Sequence, residues 1–214
     1  MRFVDLENWP RRQQYEFLKN FFYPHFSLCA NMDITTFYPR AKGSGSTFTI
    51  AFVYVLSRAA NEITEFRYRM RADQVVEHDT VHPSTTVLAE GDLFSFCNLE
   101  YSRDFSTFAE KGAERFAEAR MNPVVENVPG RDDFLFMTSL PWVSFTSMMH
   151  PLNLEQIDSV PRFAWGKFFP EGERLKIPLN VQAHHAMMDG VHMGRYYQLV
   201  QEYLDDPGSY LGAA

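Results

Sequence analysis

Residues 176–190 read Lys176-Ile177-Pro178-Leu179-Asn180-Val181-Gln182-Ala183-His184-His185-Ala186-Met187-Met188-Asp189-Gly190, and this stretch decides the reading of the whole chain. Its first eight residues alternate in polarity as a β-strand does. The strand then runs into two histidines, a spacer, an aspartate and a glycine. Histidine is the side chain best suited to take a proton near neutral pH. An aspartate four residues on adds a fixed charge, and a glycine after it permits a tight turn. The residues alone also fit a satisfied core histidine or a metal ligand, so the rest of the chain has to decide.

At 214 residues the chain fits one domain, 1–214, with room for a large core. Aromatic residues make up 15%, with 20 Phe, which suits wide apolar pockets or a buried subunit interface. The net charge of −7, with no basic block, argues against a nucleic-acid partner. An anionic ligand is still compatible, because local basic residues matter more than the sum. Cys29 and Cys97 lie far apart and form no metal-type pair, which fits a reducing compartment. Residues 1–7 carry acids where a signal peptide needs an apolar core. The longest apolar-leaning run, residues 48–56, is too short to span a bilayer. A soluble cytoplasmic protein is expected.

Outward from the opening stretch, helices are predicted over residues 9–22, with Pro10 in the first turn, and 47–63, with Ser46 as a candidate cap. A further amphipathic helix is predicted over 106–121, with apolar positions Phe108, Ala113, Phe116 and Ala117, and a closing helix over 193–204. Strands are predicted over 27–37, 67–70, 74–78, 85–89, 134–138, 143–148, 163–169 and 175–184. Residues 42–46 read as a loop, and no Gly-Lys-Ser/Thr makes it a phosphate loop. Irregular interleaving of helices and strands predicts an α/β sandwich with a mixed β-sheet.

Five segments then occur in order: Trp9-Pro10-Arg11-Arg12, Val81-His82-Pro83, Pro141-Trp142-Val143-Ser144-Phe145-Thr146-Ser147, Gly166-Lys167, and residues 184–195. Together they resemble the chloramphenicol acetyltransferase family over nearly the whole chain. The HHxxxDG pattern by itself is shared with dihydrolipoamide acyltransferases and peptide-synthetase condensation domains. Condensation domains are about twice as long, and the lipoyl domains and linkers of the former are absent. The resemblance implies the CoA-dependent acyltransferase sandwich, a homotrimer with active sites at subunit interfaces, and direct transfer in a ternary complex. It implies acetyl-CoA as co-substrate, with no tightly bound cofactor and no metal.

The resemblance also implies residue roles. His185 matches the base that takes the proton of an acceptor hydroxyl, while His184 matches a structural position. Asp189 matches an aspartate paired with an arginine near the N-terminus, and Arg11 stands in that place. Thr138 stands where the family usually has a serine whose hydroxyl stabilises the tetrahedral oxyanion. A threonine hydroxyl can still donate, with a more restricted rotamer. Ser139 should face the other side of its strand. Trp142 and Lys167 match positions at the CoA site. Thr47 and Ala164 replace a family lysine and a family threonine there. Thr86 and Phe94 match acceptor-pocket positions. Met148 and His150 fall where the pocket is usually apolar, and Phe96 where a small residue is common. An imidazole in an apolar pocket is costly unless paired, so His150 is expected to face solvent or to receive a more polar acceptor.

Three readings follow. The first is an acetyl-CoA-dependent O-acetyltransferase that inactivates chloramphenicol. The second keeps the chemistry but acts on another hydroxylated small molecule. The third is a non-catalytic ligand-binding trimer that retained the fold.

Overall fold

The computed structural model describes residues 1–126, 128–156 and 158–211. A short strand β1 (Arg2–Phe3) and helix α1 (Arg12–Leu18) precede the long strand β2 (His25–Asp33). Helices α2 (Phe37–Gly43) and α3 (Phe48–Glu62) follow, then strands β3 (Tyr68–Arg71), β4 (Gln74–Glu77), β5 (His82–Leu88) and β6 (Phe94–Asn98). Helix α4 (Phe105–Met121) leads to β7 (Phe134–Leu140), β8 (Arg162–Gly166), β9 (Phe169–Glu171), β10 (Arg174–His184) and the closing helix α5 (Gly190–Asp205).

The main sheet runs β2-β10-β8-β7-β5-β6, with β9 on the far end of β10. The pairs β5–β7 and β7–β8 are parallel and the others antiparallel, so the sheet is mixed as predicted. A small second sheet, β1-β4-β3, lies apart from it.

Side chains alternate between the two faces of a strand, and the register sorts them. One face presents Val87, Cys97, Leu135, Met137, Phe163, Trp165, Leu179, Val181 and Ala183, all buried in the main core with α3, α4 and α5. Helix α3 is its centre: residues 50–57 are buried without a break. The opposite face is polar. Reading across it, His25 pairs with His184; Ser27 with Gln182 and Arg162; Cys29 with Asn180, Ala164 and Thr138; and Thr86 with Phe96.

The segment between β7 and β8 covers that polar face. The strand predicted at 143–148 does not form. Instead, side chains of the sheet take its backbone groups: Asn180 Oδ1 accepts from Met148 N, Gln182 Oε1 accepts from His150 N at 2.7 Å, and Ser27 Oγ donates to Met148 O at 3.1 Å. The alternating run Val143-Ser144-Phe145-Thr146-Ser147 is thus held without a strand ladder, by the Lys167 amide on Val143 O at its start and by side-chain tethers at Met148 and His150 just past its end.

Other expectations also shift. The helix predicted at 9–22 is confined to Arg12–Leu18, and Phe17, Phe21 and Phe22 beyond or outside its buried face are exposed. The cap of α3 is Thr47 rather than Ser46; its Oγ1 accepts from Ile50 N, so the residue in the family lysine's place has a local structural role. Lys42 and Gly43, read as loop, close helix α2, and β6 was not predicted at all. In α4 the buried positions are Phe105, Phe108, Gly112, Phe116 and Ala119, whereas Ala113 and Ala117 face solvent. No described helix is long and apolar enough to cross a membrane.

Candidate active site

The loop after β10 is packed from below by a small apolar cluster separate from the main core. Trp9 and Tyr15 join Tyr68, Val75, Ala186 and Met187. Trp9 meets the Tyr15 and Tyr68 rings at 5.7 and 5.3 Å, geometry in which aromatic pairs gain beyond simple burial. This packing sets the start of α1, and Arg11 sits at its N-cap.

Arg11 reaches 178 residues along the chain. Its Nη1 donates to Asp189 Oδ2 at 2.7 Å, and its Nη2 donates to the His185 carbonyl at 3.4 Å. The Arg11 side chain is 11% exposed and that of Asp189 32%. Burial works against ionising Asp189, but the Arg11 hydrogen bond and charge outweigh it and hold the carboxyl below its usual range. One guanidinium thus fixes both the carboxylate of the loop and the backbone of its second histidine.

His185 is half-buried, its amide donates to Pro24 O at 2.8 Å, and its ring lies 4.5 Å from that of Phe26. His184 points to the polar face. Its Nδ1 accepts from Ala186 N at 3.2 Å, and its ring stands edge-on to His25 at 5.0 Å. Burial pushes His184 and His25 down to about 4, helped by repulsion from His25 on the former and from Arg162 on the latter. Gly190 was expected to permit a turn. It opens α5 without a positive φ, and a Cβ there would meet nothing within 4 Å.

Thr138 lies elsewhere on the same face. Its Oγ1 is 2.7 Å from Thr86 Oγ1. One hydroxyl donates and the other accepts, so when Thr86 donates, the Thr138 proton is free to meet an oxyanion. Phe94 is 49% exposed at the start of β6 and contacts the Phe96 ring at 5.7 Å. Ser139 belongs to the opposite register, beside Trp165.

Gly166 links Thr138's side of the sheet to the covering segment. An added Cβ would sit 2.7 Å from Val143 O, 2.8 Å from Pro178 Cγ and 3.0 Å from Phe145 Cε1. That close approach is why the motif has a glycine. The next residue, Lys167, anchors the same contact through its amide on Val143 O at 2.8 Å, and its side chain is exposed. Trp142 is 66% exposed.

Met148 and His150 are not beside Thr86 and Phe94 within the chain. They are tied over β10 and β2 through Asn180, Gln182 and Ser27, on the other side of Thr138. Nor does the His150 ring face solvent: both ring nitrogens are buried without a hydrogen-bond partner, and burial with Arg162 nearby pushes it down to about 4.

The same register separates His185 from Thr138. Thr138 pairs with Ala164 and through it with Asn180, two strands across and four residues short of His184. With strands about 4.8 Å apart and about 3.3 Å per residue, the backbones at Thr138 and His184 are roughly 16 Å apart. Among the described residues, no group of three or more His, Cys, Asp or Glu is placed to hold a metal ion. A cavity of about 360 Å³ lined by Arg58, Asn61, Tyr101 and Arg103 contains none of these residues.

The sequence pointed to neither His192 nor the tethering set Ser27, Asn180 and Gln182. Polar residues on the buried side of β10 were the available signal: Asn180, Gln182 and His184 are all buried.

Comparison with known proteins adds four findings. The family profile described as chloramphenicol acetyltransferase matches residues 1–201. A chloramphenicol acetyltransferase of Proteus mirabilis is 32% identical over 212 residues, covering 95% of this chain and 94% of that protein. One of Escherichia coli is 32% identical over 206 residues, covering 95% and 93%. A solved chloramphenicol acetyltransferase superposes with a TM-score of 0.83 at 27% identity, over 95% of this chain and 99% of the other.

Proposed function

The chain belongs to the chloramphenicol acetyltransferase family, and from that premise we propose that it transfers the acetyl group of acetyl-CoA to a hydroxyl of chloramphenicol, inactivating the drug in the cytoplasm. His185 takes the hydroxyl proton as the oxygen attacks the thioester carbonyl. The tetrahedral oxyanion accepts a hydrogen bond from Thr138, itself oriented by Thr86. Collapse breaks the carbon–sulfur bond, and the proton on His185 goes to the CoA sulfur. Such proton transfer is typically worth about 10²–10⁴ in rate. Arg11 and Asp189 hold the His185 loop in place. Trp142 walls the pantetheine channel and Lys167 meets a CoA phosphate, while Thr86, Phe94, Met148 and His150 line the acceptor pocket. Acetyl-CoA is a co-substrate, and neither a metal nor a tightly held cofactor is required.

The observation that carries this reading is the strand register, which sets Thr138 two strands across and four residues short of His184. Groups on backbones roughly 16 Å apart cannot serve one reacting carbonyl. A second copy of the chain removes the difficulty if His185 of one subunit meets Thr138 of its neighbour. Exposed apolar residues stand at both places: Phe21, Phe22 and Tyr23, just before the Pro24 carbonyl that holds the His185 amide, and Leu88, Leu93 and Phe94 near Thr86. Joining two different patches is a head-to-tail contact, which gives a ring when the rotation between subunits closes; a closed homotrimer with three shared sites fits. The same arrangement brings Met148 and His150 of one subunit toward the Thr86 and Phe94 of the next.

Thiol release from acetyl-CoA, with and without chloramphenicol, tests the reading, with His185→Ala as control. Drug-dependent release that the substitution removes supports it. Release that depends on another hydroxylated compound and not on the drug would transfer the chemistry to that acceptor, with Met148 and His150 the first residues to exchange. A His185→Ala protein with full biological effect would favour a binding trimer instead.

A further inference from the structure

Behind the Arg11–Asp189 pair stands a histidine outside the HHxxxDG pattern. His192 lies in the first turn of α5, with its side chain 9% exposed. Its Nδ1 accepts from the Asp189 amide at 3.1 Å and lies 2.9 Å from Asp189 Oδ1. Its Nε2 is 3.3 Å from Glu65 Oε1, in the 3₁₀ turn Thr64–Arg67 that follows α3. A row of contacts, Arg11 to Asp189 to His192 to Glu65, therefore joins the start of α1, the loop after β10 and the end of α3.

The position of one proton decides what this row does. Nδ1 cannot accept the amide hydrogen and donate to the carboxylate together. Accepting it requires a neutral ring with its hydrogen on Nε2, the nitrogen that lies 3.3 Å from Glu65 Oε1. Burial favours the neutral ring, and the charges facing it divide: Glu65 and Asp189 favour protonation, Arg11 and Arg195 oppose it. A proton on Nδ1 would leave the amide at the helix N-cap without an acceptor. It would also offer a new donor to Asp189 Oδ1, which is buried and has no hydrogen-bond partner. That donor would compete with Arg11 for the carboxylate.

We propose that His192 is a positioning residue for the catalytic loop: its neutral ring, oriented by Glu65, holds the Asp189 amide so that the carboxylate meets Arg11 and the His185 backbone keeps its place. The activity arms below rest on the acetyltransferase reading; the spectroscopic arm does not. Glutamine at the third helical position reaches back to the N-cap amide in capping boxes, and it does not titrate. His192→Ala should therefore lower kcat about tenfold or more through misplacement of the base, with KM for both substrates within about twofold of wild type. His192→Gln should recover most of that loss. The acid limb of log kcat against pH should be steeper in wild type, where His192 takes up a proton, than in His192→Gln. Nitrogen-15 spectra of histidine-labelled protein should show His192 with an unprotonated Nδ1 at neutral pH, whatever the acceptor proves to be. A His192 ring protonated on Nδ1 overturns the proposal, as does a His192→Ala protein with wild-type kcat. If His192→Ala does not fold, His192→Gln decides: an acid limb as steep as that of wild type refutes the role.

Discussion

The His185 end and the Thr138 end of the polar face are held by different forces. At the His185 end, an ion pair 178 residues apart in sequence and an aromatic cluster around Trp9 pin a loop to a helix. At the Thr138 end, strand register places two threonines side by side, and the missing side chain of Gly166 lets the segment after β7 lie close against the sheet. The first end depends on charge, so a single substitution can leave an unpaired ion. The second depends on fit, so it should respond to changes in volume. If both ends serve one reaction, they must meet across a subunit boundary.

The sharpest way to break this comparison is to disable each end separately and then mix the chains. His185→Ala should lower kcat by about 10²–10⁴, and Thr138→Ala by about 10²–10³ with little change in KM, as for loss of an oxyanion donor. Thr138→Ser should keep or raise turnover. When the two disabled proteins are unfolded together and refolded as mixed trimers, a site that takes His185 from one subunit and Thr138 from the next is intact in about a quarter of cases. Activity near that fraction supports the shared site, whereas a mixture as inactive as its parents would place both residues in the same chain's site.

Asp189→Asn and Arg11→Ala come next in size. Each removes one partner of a partly buried pair, which destabilises by less than the about 3–5 kcal/mol typical of a fully buried one. Both should lower the unfolding midpoint in urea and reduce kcat, and the double variant should cost less than the sum, because neither ion is then left alone. Additive losses would show that the two residues act independently.

Parts of this were legible in the sequence and others were not, for physical reasons. The loop after β10 and the Trp9-Pro10-Arg11 segment stand out because their chemistry is local, carried by side chains at fixed spacing. The long helices α3, α4 and α5 show in periodicity because each buries a wide apolar stripe. Helix α2 was hidden by Pro39, tolerated because it lies in the first turn. Strand β6 spans only Phe94–Asn98, after the turn at Gly91. The strand expected at 143–148 fails because alternation reports a chain with two different sides. It does not report whether backbone or side chains bind it. The separation of His185 from Thr138 lies in strand order, which no local pattern encodes.

The His185 side of the polar face should also be sensitive to acid. His25 and His184, beside His185, and His150 in the covering segment are each held near 4 by burial, against an ordinary 6.5. The unfolded chain therefore binds more protons than the folded one between those values, and stability falls as pH drops from about 6.5 toward about 4. Each histidine contributes up to about 1.4 kcal/mol per pH unit in that window. Urea midpoints measured from pH 7 to 4 should decline, and His150→Leu should flatten the slope. An unchanged slope would mean that His150 finds a partner for its proton in the folded state.

The smallest effect contrasts two glycines of the motifs. At Gly166 a Cβ would press on Val143 O at 2.7 Å and on Pro178 Cγ at 2.8 Å, so Gly166→Ala must push the covering segment off the sheet. Overpacking of this kind costs about 1–3 kcal/mol, and the displacement should appear as a raised KM for acetyl-CoA, since Trp142 and Lys167 flank the contact. Gly190→Ala meets nothing within 4 Å and needs no positive φ. Within a single chain it should be neutral or stabilise by up to about 1 kcal/mol through helix propensity. If Gly190→Ala instead destroys activity while the protein stays folded, the glycine is needed for an approach that one subunit alone does not contain, either by substrate or by the neighbouring chain. That outcome would move the boundary of the shared site onto the N-terminus of α5.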